Sequence, residues 1–428
     1  MKYTQNDKIL QITENTLIIG IDVASKVHFA RAFDFRGIEY GTFIRFTNDA
    51  VGFGQLLIWI EELKASHSKS HVMVGMEPTG HYWFNLAHYL GDYSIKTVLV
   101  NPFHVKRSKE LDDNNPTKNE RKDPKTIAML VKDGRYMIPY IPEGVYSDLR
   151  IAMENRSRIV DRLVGVANRA KRWLSIYFPE FTTVFGDWEG KTAQICLREF
   201  ATPNHVLEKG VDGIVERWRQ SKIRAVGQKR AVALYQAAED SVGIREGLSA
   251  AIVELEALLE EYDMFIKQKE RLETLVKELL LQIPGSQQLL LIKGVGVITV
   301  AGFLAEVGDI KRFSHPKQLL KYAGLNLKEN SSGNHKGQTT ITKRGRKGLR
   351  ALLFRAILPI VAKNTEFREL HTYYTTRTNN PLKKMQSLVA LMSKLIRVFF
   401  GLLTKNVAYD PQKMMSDIQR LPIEQKAA

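Results

Sequence analysis

The chain has 428 residues, which at about 150 per domain suggests two or three domains. Apolar residues make up 44% and charged residues 25%, which excludes wholesale disorder. The single cysteine, Cys196, excludes an internal disulfide framework and any cysteine-based zinc cage. Sixty-three basic against 46 acidic residues give a net charge of +17. Residues 351–362 and 395–403 are the densest apolar runs, but Arg355 and Arg397 interrupt them, and the N-terminus has no apolar signal core. A soluble, cytoplasmic protein without a membrane partner is expected.

Residues 16–25, Thr-Leu-Ile-Ile-Gly-Ile-Asp-Val-Ala-Ser, form a β-branched run that reads as a buried strand. Alternation over 27–35, a turn at Arg36-Gly37 and a second run over 40–46 predict a three-stranded antiparallel meander. Apolar residues at Val51, Phe53, Leu56, Leu57, Trp59 and Ile60 predict a helix over 50–63. A strand over 71–76, a helix over 81–90 and a strand over 95–100 follow. Three strands and then alternating helices and strands indicate an α/β or α+β layer on one mixed sheet, in the order of the RNase H-like nuclease fold.

From about 147 to 281 the pattern is helical, with good spacing over 149–177 and 247–281. The second stripe suits an antiparallel hairpin or an intermolecular coiled coil, and it suits an ordinary bundle core equally well. Residues 178–221 between the arms read as a tip insertion. Ile283-Pro284-Gly285 marks a boundary, and a third, mostly helical unit follows. The expected divisions are 1–146, 147–283, 284–408 and a polar, poorly ordered tail over 409–428.

Residues 311–350 hold eleven basic residues against one acid, Glu329, which is more than half of the chain's net charge. A solvated surface explains such a patch, and so does a nucleic-acid partner. Lys336, Lys343, Arg344, Arg346, Lys347 and Arg350 are the candidate backbone contacts, which fix position without reading sequence. Gly294-Val-Gly296 ahead of an apolar helix suits either a phosphate-gripping turn or simple helix packing.

Asp22 lies in Ile-Gly-Ile-Asp-Val-Ala, inside a strand, where a carboxylate is costly unless it is paired or binds a metal. Glu77 ends another strand in Gly-Met-Glu-Pro-Thr-Gly. Asp123-Pro124 is a helix-start signal, with Asp123 as the cap, and Glu120 lies three residues before it. Four carboxylates converging without His or Cys suit magnesium or manganese, which are hard cations. Singly, each acid has a plainer explanation, as a hydrogen-bonded strand acid, a cap or a solvated charge.

Ile-Gly-Ile-Asp-Val-Ala-Ser-Lys, Met-Glu-Pro-Thr-Gly-His-Tyr-Trp, Val-Asn-Pro-Phe-His-Val-Lys and Lys-Asn-Glu-Arg-Lys-Asp resemble the N-terminal domain of the DEDD transposases. These form the IS-one-ten insertion-sequence family, with relatives among the Piv-type invertases. Gly294-Val-Gly-Val-Ile-Thr, the stretches over 304–313 and 317–324, Ser331-Ser-Gly333 and Ile341-Thr-Lys-Arg-Gly345 resemble its C-terminal transposase domain. The motifs run in order over about residues 14–405.

The resemblance implies an α/β, RNase H-like (RuvC-like) N-terminal domain, a helical coiled-coil middle and a mostly α-helical C-terminal domain. It implies a DNA recombinase in which Asp22, Glu77, Glu120 and Asp123 bind Mg2+ (or Mn2+) and Ser332 is the nucleophile. It further implies donor and target DNA, a structured guide RNA and a homo-oligomer, dimer or tetramer, as partners. Three departures stand out: Glu120 where the family usually has Asp, Pro124 after Asp123, and Lys293 before Gly-x-Gly. Small residues around Ser332 allow close approach to a phosphate, and they equally suit a plain turn.

Overall fold

The computed structural model describes residues 4–112, 122–223, 227–328, 331–332, 335–336 and 339–419. The chain divides into two compact units, Met1–Ile141 and Pro142–Ala428.

The first unit runs α1 (Gln5–Leu10), β1 (Thr16–Asp22), β2 (Val27–Phe33), β3 (Glu39–Thr47), α2 (Ala50–Ser66), β4 (His71–Met76), α3 (Trp83–Asp92), β5 (Lys96–Val100), α4 (Pro102–Asp112), α5 (Lys122–Lys132) and β6 (Tyr136–Met137). The expected meander is present, since β1–β2 and β2–β3 pair antiparallel. The six strands form one mixed sheet in the order β3-β2-β1-β4-β5-β6, with β1–β4 and β4–β5 parallel. The antiparallel edge strand β6 was not foreseen.

Strand alternation sorts the two faces. Leu17, Ile19, Ile21, Val74 and Met76 bury one face against Leu56 and Ile60 of α2 and Leu86 and Leu90 of α3. Ile18, Met73, Val98 and Val100 bury the other against Ile127, Ala128, Leu130 and Val131 of α5.

The second unit begins with α6 (Gly144–Tyr177), and α11 (Leu248–Leu281) returns beside it; each has 34 residues, about 50 Å of helix. Arg156 pairs with Glu273 at 2.6 Å, and Arg169 pairs with Glu261. As one number rises the other falls, so the two helices run antiparallel. Between them lie α7 (Phe181–Phe185), α8 (Lys191–Glu199), α9 (Pro203–Gln220) and α10 (Gln228–Glu239). This tip has its own core around Trp173, Phe178, Phe200 and Trp218.

After the hairpin come α12 (Ser286–Leu290), α13 (Val297–Val307), a 3-10 turn (Ile310–Arg312) and α14 (Pro316–Ala323). The short strands β7 (Leu327–Lys328), β8 (Ser331–Ser332), β9 (His335–Lys336) and β10 (Thr340–Ile341) follow. The chain then forms α15 (Lys347–Lys363), α16 (Thr365–Thr376), α17 (Lys384–Lys405) and α18 (Pro411–Gln419). Leu149, Ala152, Val276 and Leu279 at the hairpin base share one core with Phe303, Leu349, Phe367 and Phe399. The tail after 409, expected to be poorly ordered, forms α18 and buries Met414 in that core. By length and composition α17 is apolar enough to cross a membrane, but half of its apolar window is buried here, including Leu391, Leu395 and Phe399.

Candidate active site

Asp22 is the last residue of β1, and Ile21 pairs with Met76 of β4. Glu77 is the first residue after β4, so it follows the end of the strand that runs parallel to β1. Two residues before each acid stands a glycine, and Gly20 and Gly75 are themselves register partners. By alternation Asp22 shares the face of Gly20, which is the face covered by α5.

The glycines explain how closely α5 lies. A Cβ on Gly20 would fall 1.9 Å from the Pro124 carbonyl oxygen and 2.8 Å from the Ala128 nitrogen. On Gly75 it would fall 2.4 Å from Cγ2 of Val131. The helix thus rests on the bare backbone of both strands, and its first turn, which carries Asp123, lies over the strand end carrying Asp22. Asp123 is not the cap that the sequence suggested. The helix starts at Lys122, so Asp123 sits within the first turn, where its charge favours the helix dipole. Pro124 fits there, because first-turn amides have no intrahelical acceptor.

Asp22, Glu77 and Asp123 are each half-buried, and each interacts with a neighbour. Glu120 lies outside the described residues. Among the described residues, no three His, Cys, Asp or Glu side chains are gathered closely enough to hold a metal ion. Asp22 and Glu77 thus end or follow two paired parallel strands without closing a ligand shell among the described residues. As a donor set, carboxylate oxygens alone match a hard divalent cation.

His28 on β2 is fully buried. Its Nδ1 accepts from the Ala24 backbone N–H at 3.1 Å, which fixes the turn that follows Asp22. Burial lowers the His28 pKa, opposed in part by a hydrogen bond with Asn48.

In the second unit, β8 and β9 pair antiparallel, with Ser332 opposite His335. The side chains of Ser332 and Lys336 lie outside those described. Nearer the base of this arm, β7 pairs with β10. Lys343, Arg344 and Lys347 are exposed. Two of the expected nucleic-acid contacts are engaged within the fold: Arg346 Nε donates to Glu306 Oε2 at 2.9 Å, and Arg350 Nη1 donates to the Ala323 carbonyl at 3.0 Å. Gly294, with φ +95°, packs its backbone on α15, where a Cβ would meet the Ile360 Cα at 2.8 Å. Gly296 caps α13 without a side-chain hydrogen bond and has open space around it. Sequence reasoning missed Gly20, Gly75, Glu306 and Tyr322; the repeated Gly-x-acid spacing at Asp22 and Glu77 was the available signal.

The DEDD transposase model of the IS110 group, described as a transposase, matches residues 19–179. A second model, described as a transposase of the IS116/IS110/IS902 family, matches residues 286–372. The chain belongs to the IS110 (IS-one-ten) family of transposases. The transposase is 26% identical over 400 residues to the pilin gene-inverting protein of Moraxella bovis, covering 92% of this chain and 97% of that one. It is 22% identical over 296 residues to the 43.6 kDa protein of insertion element IS110 from Streptomyces coelicolor, covering 68% and 72%. Over a shorter stretch of 123 residues it is 35% identical to the transposase of insertion sequence element IS1111A from Coxiella burnetii, covering 28% and 32%. Asp22, Glu77, Glu120 and Asp123 fall inside the first matched stretch, and Ser332 with its basic surroundings falls inside the second. Transposases of the DEDD class act on DNA and use divalent metal ions.

Proposed function

We propose that this transposase cuts and rejoins DNA with two chemically unlike parts, a RuvC-like carboxylate centre in the first unit and a serine in the second. Asp22, Glu77, Glu120 and Asp123 would hold magnesium or manganese. The observation that supports this reading is the in-register Gly20–Gly75 pair, on which α5 packs closely, with Asp22 and Glu77 two residues beyond the glycines and Asp123 in the first turn of that helix. A divalent cation bound there supplies Lewis-acid stabilisation of charge on phosphate oxygens.

The chain's own residues do the rest. Ser332 Oγ attacks phosphorus, so that a Ser–O–P bond forms as one strand P–O bond breaks and the leaving oxygen takes up a proton. Attack by the hydroxyl of another strand end reverses this and frees the serine, so rejoining needs no outside energy source. Exposed Lys343, Arg344 and Lys347 hold the backbone, which fixes register on DNA but not sequence. Selection of donor and target is assigned to a structured RNA encoded by the element. The acids and Ser332 lie in different units, and assembly into a homo-oligomer, with α6 and α11 available for coiled-coil pairing, would let one subunit's acids serve another's serine.

The test is excision of the complete element in cells, scored by its circular junction, for wild type, Asp22→Ala, Ser331→Ala and Ser332→Ala at matched expression. Loss in Asp22→Ala and Ser332→Ala but not in Ser331→Ala is the expected outcome. Retention of the junction in Ser332→Ala would make the enzyme a metal-only nuclease of the resolvase kind.

A further inference from the structure

We infer that Glu306, Arg346 and Tyr322 form a clamp that positions the β arm carrying Ser332, and that Arg346 serves the reaction through this clamp and not by touching nucleic acid. The inference rests on Ser332 being the nucleophile.

Glu306 lies in the last turn of α13, where a carboxylate opposes that helix's own dipole. Its location makes sense across the tertiary contact. A Cβ on Gly348 would fall 2.1 Å from Glu306 Oε1, so the carboxylate lies directly over the first turn of α15, which contains no acid of its own. Arg346, just before that helix, closes the contact through Nε at 2.9 Å.

Tyr322, in α14, joins α13 and the start of α15. Its hydroxyl donates to the Glu306 carbonyl at 3.2 Å, and its own carbonyl accepts from the Arg346 N–H at 2.8 Å. The Arg346 guanidinium lies 5.9 Å from the Tyr322 ring centre, and Arg312 lies 5.0 Å from it. The chain entering the arm at the end of α14 and the chain leaving it ahead of α15 lie against each other here with almost no space between them. A Cβ on Gly345 would fall 2.5 Å from both the Gly324 nitrogen and the Tyr322 carbonyl oxygen. Lys343 N–H donates to the Gly324 carbonyl at 3.0 Å, and Thr342 N–H donates to the Asn326 carbonyl at 2.8 Å. The two ends of the arm, residues 324 and 343, are thus fixed to one another and, through Glu306, to α13 and α15. Ser332 lies in β8, between those two fixed ends in the chain, so the clamp sets where the segment carrying it leaves and rejoins the fold.

A phosphate contact and a positioning clamp leave different signatures. Each lysine or arginine that neutralises a phosphate contributes about 0.9 to the slope of log affinity against log salt. A positioning residue leaves that slope alone and lowers the yield of chemistry, and a misplacement near 1 Å costs on the order of a hundredfold.

The experiment uses the full chain, with Glu306→Gln and Arg346→Gln as tests, and Arg344→Gln, Lys347→Gln and Ser332→Ala as controls. Binding to a random-sequence DNA duplex is measured across salt concentrations. Covalent protein–DNA product and circular junction are measured in cells carrying the complete element. The expected result is a slope reduced by about 0.9 in Arg344→Gln and Lys347→Gln but unchanged in Glu306→Gln and Arg346→Gln. Covalent product should fall at least tenfold to about a hundredfold in both clamp variants. Arg346→Lys keeps the charge without the planar fork and should lose product equally, which separates geometry from charge. A reduced slope in Arg346→Gln, or wild-type product in both clamp variants while Ser332→Ala yields none, overturns the clamp alone. Covalent product in Ser332→Ala overturns the serine reading, and the clamp's role in the reaction with it.

Discussion

Gly20→Ala tests the packing of α5 on β1. The added methyl would lie 1.9 Å from the Pro124 carbonyl oxygen, about 1.5 Å short of ordinary contact, with the Ala128 nitrogen at 2.8 Å and the Pro124 carbonyl carbon at 2.9 Å. All three atoms are backbone, so no side-chain rotation relieves the clash and the start of α5 must lift from the sheet. Overpacking of this kind costs about 1–3 kcal/mol, and the upper end applies where a helix has to move. Restricting the unfolded chain returns only about 0.4–1 kcal/mol. Gly75→Ala is the comparison, because its clash is with the buried Val131 and Ile127 methyls and not with the helix backbone, and about 1–2 kcal/mol is expected. The assay is hydrogen exchange of the α5 amides together with element excision. Gly20→Ala should speed exchange more than Gly75→Ala does and lower excision on the order of a hundredfold, since Asp123 moves with the helix. If Gly20→Ala exchanges and excises like the wild type, α5 does not rest on β1 and its packing does not hold Asp123 near Asp22.

Two other outcomes follow from buried polar groups. His28 has its pKa lowered by burial, so above the unfolded value of about 6.5 its neutral form costs nothing. As pH falls below that value the unfolded chain takes up the proton first, and the first unit loses stability until the lowered folded pKa is reached. A urea midpoint followed against pH should show this slope, and His28→Gln should remove its share; an unchanged slope refutes the assignment. Trp173, at 1% exposure, donates its indole N–H to the Ala251 carbonyl at 2.7 Å and ties α6 to α11 near the tip. Trp173→Phe should destabilise the tip by about 2–3 kcal/mol through the lost bond and the space left behind, read by thermal unfolding. A loss below about 0.5 kcal/mol would mean that the two helices are held at this end by other contacts.

The legible part of this protein lies where neighbours in sequence are neighbours in space. Period-two runs gave β1 through β5 within a few residues, and period-three-and-four runs gave α2, α6 and α11. Asp22 and Glu77 stood out because an acid in or beside a buried strand is anomalous without any knowledge of the fold. The basic stretch over 311–350 was plain from charge alone, although charge could not say which of its members were already engaged.

What the tertiary structure decided involves partners far apart in the chain or the absence of a side chain. Gly20 and Gly75 are 55 residues apart, and α5 begins about a hundred residues after β1, so no local pattern announces that one rests on the others. A glycine that permits close approach has no side chain to read, and its meaning appears only when the atom filling its space is known. The same reason hid the joint core of hairpin base and C-terminal helices, the edge strand β6 and the burial of Met414. It also hid the engagement of Arg346 by Glu306, 40 residues away. Composition, periodicity and charge indicated most of the strands and helices and the residues that are candidates for chemistry. Long-range packing alone settled which of those residues stand together, because sequence order does not fix distance once the chain folds back on itself.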